Sequence, residues 1–298
     1  MGMVGSKMKI SLFDMVNYFV LIVIGIVTIY PFLNVLAVSL NDSTDTIRGG
    51  IHIWPRMFTL RNYHEVVRYD NLITAFKNSV LRTVLGTLIS VFCSAMLAYS
   101  LSRTDFIARK LFSKYFAITM YMSGGLIPTY MLIRNLHLTN TFIVYILPGI
   151  ISVWNVFVIR SYIDGLPYSL QESAKLDGAN DFYIFFKIVM PLCVPVLATV
   201  SLFVAVGHWN SWFDTYIYNG SKEKLTTLQF ELMKILSNTQ DSVSAEELQN
   251  MSKDKVETVS PESIKMAITI VTTLPILCVY PFIQRYFIKG VTLGAVKS

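Results

Sequence analysis

Charge is what this sequence has least of. Asp, Glu, Lys and Arg make up 15% of its 298 residues, where soluble domains carry about a quarter. That scarcity excludes an ordinary globular enzyme and a disordered regulator. Cysteine is scarce as well. Cys93, Cys193 and Cys278 lie far apart without C-x-x-C spacing, so apolar packing is their expected role rather than a disulfide framework or a thiolate metal site. The four histidines, His52, His64, His137 and His208, are scattered with no metal or triad spacing. No Gly-x-x-x-x-Gly-Lys-Ser/Thr loop occurs, since Gly220-Ser221-Lys222 lacks the earlier glycine. The chain is not expected to hydrolyse ATP itself, nor to bind a cofactor.

Apolar residues are abundant, at 53%, with 13% aromatics. Their distribution decides the fold class. Six windows contain no charged residue: 15–41, 83–102, 115–133, 135–159, 188–213 and 266–284. Each reaches the ~20 residues a helix needs to cross a hydrocarbon core. The expectation is an all-α polytopic membrane protein with six spans, near 16–40, 76–101, 115–134, 141–162, 187–207 and 264–284. Around them lie an N-terminal segment 1–15, a membrane-embedded body 16–285, and a tail 286–298. Lys7 and Lys9 before an apolar stretch imitate a secretion signal, but the stretch is too long for one and reads as the first span.

Six spans put both termini on one side. That side carries 12 Lys/Arg and the other 13, so the positive-inside rule gives almost a tie. Half of the far-side cations sit in one long loop that the rule discounts, which tips the reading towards cytoplasmic termini.

Within the third window, Ser123-Gly124-Gly125-Leu126-Ile127-Pro128 predicts either a broken helix lining a cavity or a notch for a neighbouring helix. Residues 208–263 form an external loop. Leu225, Leu228, Leu232 and Ile235 have helical spacing there, and 239–260 read as a solvated flap.

The informative stretch is the loop 164–186. Pro167 suits a first helical turn, Ser169 and Glu172 have capping-box spacing, and Gly178 supplies a left-handed stop. One short helix follows, then Asn180 or Asp181 caps a second that enters the fifth span. Glu172-Ser173-Ala174, Gly178 four positions on, and Ile188-Val189-Met190-Pro191 together resemble the Glu-Ala-Ala loop of ATP-binding-cassette importer permeases. Ser173 and Met190 depart from that pattern but conserve size. Asp177-Gly178-Ala179 is similar to the carbohydrate branch. Gly207 to Asp214 and Gln284 to Lys297 are similar to oligosaccharide and maltose-transporter-type permeases, and the Ser-Gly-Gly-Leu-Ile-Pro run to the subgroup handling complex oligosaccharides.

The resemblance implies a type I importer permease in a bacterial cell membrane. Glu172, Ser173, Ala174, Leu176, Asp177, Gly178 and Ala179 would form the coupling helix that seats in a cytoplasmic ATPase. Lys289, Gly290, Thr292 and Gly294 of the tail would reach the ATPase interface. The implied partners are a second homologous permease forming a heterodimer, two ATPase subunits that bind ATP and Mg, and an extracellular sugar-binding protein. An ATPase on the coupling loop also fixes the termini as cytoplasmic.

Aromatic faces and planar polar groups hold sugars, so Trp209, Asn210, Trp212, Asp214 and Tyr216 are candidates for the substrate path, with Asn155 and Tyr130 weaker. Trp and Tyr also mark membrane interfaces without any ligand. His208 reads as an interfacial histidine, since no carboxylate lies inside a window to pair with it. Two other classes are disfavoured: an ion-coupled transporter would embed charges in its spans, and a membrane enzyme would gather His, Asp or Glu at the interface. A permease for a non-sugar solute is the nearer alternative.

Overall fold

The structure, a computed structural model, describes residues 11–68, 71–241 and 260–295. The described residues are almost wholly helical, with one isolated antiparallel bridge between Asn41 and Phe58. They fall into two compact units, one from residues 11–68 with 238–241 and 260–271, the other from 71–237 with 272–295.

The first unit begins with α1 (Leu12–Ser39), whose entry is closed by the Ser11 amide donating to the Asp14 carboxylate at 2.9 Å. Pro31 is accommodated inside it. Its apolar side chains are exposed from Leu12 to Leu33, as suits a helix surrounded by lipid or by another membrane chain. A knot of buried amides secures its far end. Asn62, on α2 (Arg61–Arg68), donates to the Ser39 and Asn41 carbonyls at 2.8 and 2.9 Å, and Asn41 donates to Asp45 at 3.0 Å. Asn62 thereby satisfies a carbonyl that the helix end would leave orphaned.

The second unit is built around α3 (Leu72–Ser102). Its buried face reads Ala75, Ser79, Arg82, Gly86, Ser90, Ser94 and Ala98; apart from Arg82 these are small residues that let other helices approach closely. The Gly86 position touches the His208 ring so closely that a Cβ there would lie 2.5 Å from Nε2. Around α3 stand α4 (Arg109–Thr119), α5 (Leu126–Asn135), α6 (Val153–Ile163), α7 (Ser169–Leu176), α8 (Asp181–Leu192) and α9 (Val194–Asn210). Their core joins Val91, Ala95 and Tyr99 to Val156, Ile159, Ile184, Phe185 and Val200. Beyond α9, α10 (Leu228–Asp241) is the expected amphipathic helix, with Leu228 and Leu232 buried. Last comes α11 (Pro261–Ala295).

Three described helices are long and apolar enough to cross a membrane: Leu12–Ser39, Leu72–Ser102 and Pro261–Pro281. Two bent pairs raise that to five if each is one span. The fourth expected span divides into Phe142–Gly149 and Val153–Ile163 at 51°, and the fifth into Asp181–Leu192 and Val194–Asn210 at 80°. Pro148-Gly149 accounts for the first bend. Pro191 and Pro195 account for the second, because each lacks an amide donor and crowds the preceding turn. The third expected span is two separate helices, α4 and α5, parted by residues 120–125. Gly125, at φ +83°, sits in the left-handed region at the start of α5, so of the two readings of the glycine pair the broken helix is the one observed. The last helix continues through residue 285 to Ala295, since nothing from Arg285 to Lys289 interrupts a helix. Cys193 packs in the core as expected, whereas Cys278 is exposed. The flap expected over 239–260 lies for the most part outside the described residues.

Candidate functional site

The short helix of the 164–186 loop forms as α7, over Ser169–Leu176. Its entry differs from the expectation. Ser169 is the first helical residue and Tyr168 the N-cap, with no side-chain cap, so the Ser169–Glu172 capping box is not made. Ser169 lies one residue inside the helix boundary, and the Pro167 carbonyl starts the turn by accepting from the Leu170 amide at 3.2 Å. The exit is as expected. Gly178 adopts φ +79°, the Ala179 amide donates to the Ala174 carbonyl at 2.9 Å, and the Gly178 amide to Lys175 at 3.0 Å, the paired bonds of a glycine-terminated helix. Asn180, rather than Asp181, caps the next helix, accepting from the Tyr183 amide at 2.8 Å.

One face of α7 is bound to its own chain and the other is free. Gln171 and Ala174 are buried, Ala174 within the main core. Glu172, Ser173, Asp177 and Gly178 are exposed and Ala179 half-buried. Leu176 is 90% exposed, an unusual placing for a leucine at the end of a firmly anchored helix. Beside it a cleft of about 480 Å³ is walled by Ala174, Asp177, Gly178, Tyr183 and Lys187.

The bound face rests on residues that the sequence did not single out. Arg103, at the C-cap of α3 and 5% exposed, is gripped from four directions. Its Nε and Nη2 donate to the two Asp105 oxygens at 3.1 and 2.8 Å. Its Nη1 donates to Gln171 Oε1 at 3.0 Å and to the Tyr99 hydroxyl at 3.4 Å. Asp181 Oδ1 lies 3.3 Å from Nη2. Lys175, one turn after Gln171, donates to Asp105 at 2.7 Å. The Arg103 and Lys175 donors hold the Asp105 carboxyl well below the usual carboxylate range. An Arg-x-Asp placed where an apolar window ends, facing a Gln and a Lys four apart, was the available signal.

The substrate-path candidates separate. Tyr130 and Tyr216 meet at a cavity of about 590 Å³ lined also by Leu126, Ile127, Ser221 and Phe230, with Tyr130 stacked on Tyr218 at 6.1 Å. None of its lining residues is charged. Trp209 is buried, donates to the Thr272 carbonyl at 2.9 Å and packs edge-on against Phe76. Asn210 is exposed at the end of α9, Trp212 is half-buried against Phe213 and Tyr216, and Asn155 is buried on α6.

Asp214 is engaged by Arg82, which is 2% exposed in α3 and contacts both carboxylate oxygens, one of them at 3.2 Å from Nη1. Ser211 and the Thr215 amide donate to the same carboxylate at 3.0 and 2.9 Å, and the guanidinium lies 4.5 Å from the Tyr145 ring centre. The charge-free windows stand, but an ion pair is buried where two of them end, close to His208. No carboxylate lies inside a window, as expected for His208, and Asp214 stands just beyond the end of one. Among the described residues, no group of three His, Cys, Asp or Glu could hold a metal.

Comparison with known proteins decides the class. The family described as binding-protein-dependent transport system inner membrane component matches residues 10–293. The chain belongs to this family. It is 37% identical to the polygalacturonan/rhamnogalacturonan transport system permease protein YtcP of Bacillus subtilis, over 98% of this chain and all of that one. It is 30% identical to the arabinooligosaccharides transport system permease protein AraQ of Halalkalibacterium halodurans, over 92% and 93% of the two chains. A solved bacterial ABC transporter involved in the import of the acidic polysaccharide alginate superposes with TM-score 0.83 and 27% identity, covering 94% of this chain and 98% of that one. The protein is therefore a permease subunit of an ABC importer, a helical membrane component and not the ATP-hydrolysing one.

Proposed function

We propose that this permease carries an oligosaccharide from an extracellular binding protein into the cytoplasm, driven through α7 by a separate ATPase. The observation that carries the reading is the helix itself. α7 is buried on one side, anchored at Arg103, and presents Glu172, Ser173 and Leu176 outward. An exposed leucine flanked by a carboxylate suits a groove offering apolar surface and a basic side chain. Placing that groove on a cytosolic ATPase puts both termini in the cytoplasm, with 41–74 and 208–263 outside. A second permease subunit and a pair of ATPases complete the assembly, ATP and Mg residing on the latter. The tail from Lys289 to Gly294 is assigned to the ATPase side; its side chains lie outside the described residues.

The uncharged cavity at Tyr130 and Tyr216 suits the C–H face of a pyranose, and the relatives named for plant-wall polysaccharides support a sugar cargo. In proteoliposomes holding both permeases, the ATPases and the binding protein, internal ATP should drive uptake of a short oligogalacturonate or arabinooligosaccharide. ATP-driven uptake of an amino acid with neither sugar taken up would overturn the cargo assignment. Gly178→Pro, which cannot adopt φ +79°, should abolish ATPase retention on affinity purification while the chain still inserts in the membrane. Full retention would remove α7 from the coupling role.

A further inference from the structure

Arg103 adds a polar clamp to three segments that already share the main apolar core. It is covalently the end of α3, its Nη1 donates to Gln171 on α7 at 3.0 Å, and Asp181 at the start of α8 lies 3.3 Å from Nη2. Asp105 doubles the link, because it accepts from both Arg103 and Lys175. Burial stiffens the Gln171 limb of the link, since Arg103 is 5% and Gln171 6% exposed and water does not readily replace a donor that lets go there, while the Asp105 and Asp181 carboxylates are solvated and contribute charge. A planar guanidinium with five donors can serve all of these partners at once, whereas a lysine ammonium is a point charge on a flexible stem.

We propose that Arg103 is a positioning residue that makes α3, α7 and the start of α8 one rigid body, so that a displacement of α7 is delivered to the spans rather than absorbed in the loop. This rests on the reading of α7 as the ATPase-docking helix. The action proposed for Arg103 is exerted through Gln171, Asp105 and Asp181. Losing one charge-assisted hydrogen bond is worth at least ~1.5 kcal/mol, about a tenfold shift in the equilibrium between a locked and a slack α7.

The test follows movement at the far end without needing the natural sugar. In a background where Cys93, Cys193 and Cys278 are replaced by alanine, Tyr216→Cys places a thiol in the aromatic cavity. The complete transporter is reconstituted, and its reaction with a membrane-impermeant maleimide is timed with and without ATP and vanadate. With Arg103 present, nucleotide should change the labelling rate about tenfold. With Arg103→Lys, or with Gln171→Met where the arginine variant fails to assemble, ATPase retention and hydrolysis should persist while the nucleotide-dependent change shrinks to less than about twofold. Gln171→Glu, which keeps an acceptor for Nη1, should restore it. An undiminished change in both Arg103→Lys and Gln171→Met, with the ATPase still bound, would overturn the clamp and leave the docking reading standing. Failure of the unaltered chain to retain the ATPase would overturn both.

Discussion

Gly86 shows how little room one residue can leave. On α3 it meets the His208 ring of α9 where any Cβ would intrude to 2.5 Å, and rings held between helices have no easy escape. Gly86→Ala should lower the stability of the detergent-solubilised protein by about 1–3 kcal/mol, the usual cost of overpacking, read as an earlier midpoint in a thermal aggregation assay. The double variant Gly86→Ala with His208→Ala should recover most of that loss, and no recovery would mean that the contact is not the cause. Arg82 and Asp214 make a complementary case. Removing one member of a buried pair strands the other, at a cost of about 3–5 kcal/mol, while replacing both by apolar residues of similar size is often neutral. Arg82→Met alone is expected to destabilise strongly, and Arg82→Met with Asp214→Leu to fall well short of that. An additive pair of losses would show that the two residues are not coupled. The sequence displayed both residues in plain view, at the edges of two apolar windows, but nothing in the spacing of residues 132 apart in the chain says that they meet.

At the scale of the element, α7 was the most legible part of the molecule. Local chemistry writes it: a proline before, a glycine after, and a helix-forming run between, with a φ of +79° that glycine adopts without strain. The capping box was misread because the Ser-x-x-Glu pattern occurs one residue inside the helix rather than at its boundary. What holds α7 in place was not legible, since Arg103 and Asp105 belong to a different loop and their partners are found only when the chain folds back. This linkage has a pH signature. Asp105 is held below the ordinary carboxylate value of 3.8 by Arg103 and Lys175, so its native form binds fewer protons than the unfolded chain. The stabilisation is complete above that value and is lost as pH falls beneath it. Amide exchange of α7 should therefore be insensitive to pH-linked loosening from neutrality down to about pH 4 and should accelerate below, once intrinsic exchange is corrected for. Asp105→Asn should show no such step, and the same acid step in that variant would assign the effect to another carboxylate.

Over the whole molecule, composition alone gave the class, because a chain this poor in charge and this rich in long apolar windows has no soluble solution. The shapes of the spans were less accessible. Windows free of charge measure length, not straightness, and the prolines at 148, 191 and 195 bend segments that hydropathy treats as rods. The glycine pair at 124–125 left a break and a packing notch equally open in the sequence, and residues 120–125 between α4 and α5 show the break. Sidedness remained nearly balanced by cation counts, and the cytoplasmic termini proposed above rest on the proposed docking of α7 on an ATPase. Leu176→Cys, in the cysteine-free background, should react with an impermeant maleimide in inverted vesicles and stay unreacted in right-side-out spheroplasts; the opposite pattern would turn the topology over.

The 80° turn between α8 and α9 has a mechanical meaning of its own. Two arms set nearly at a right angle behave as a crank: thrust applied along the first emerges as sideways travel of the second. The second arm, 17 residues long, extends about 25 Å. A tilt of ~10° would carry its tip ~4 Å across the membrane plane, about the width of one side chain, from an input too small to disturb the packing at the pivot.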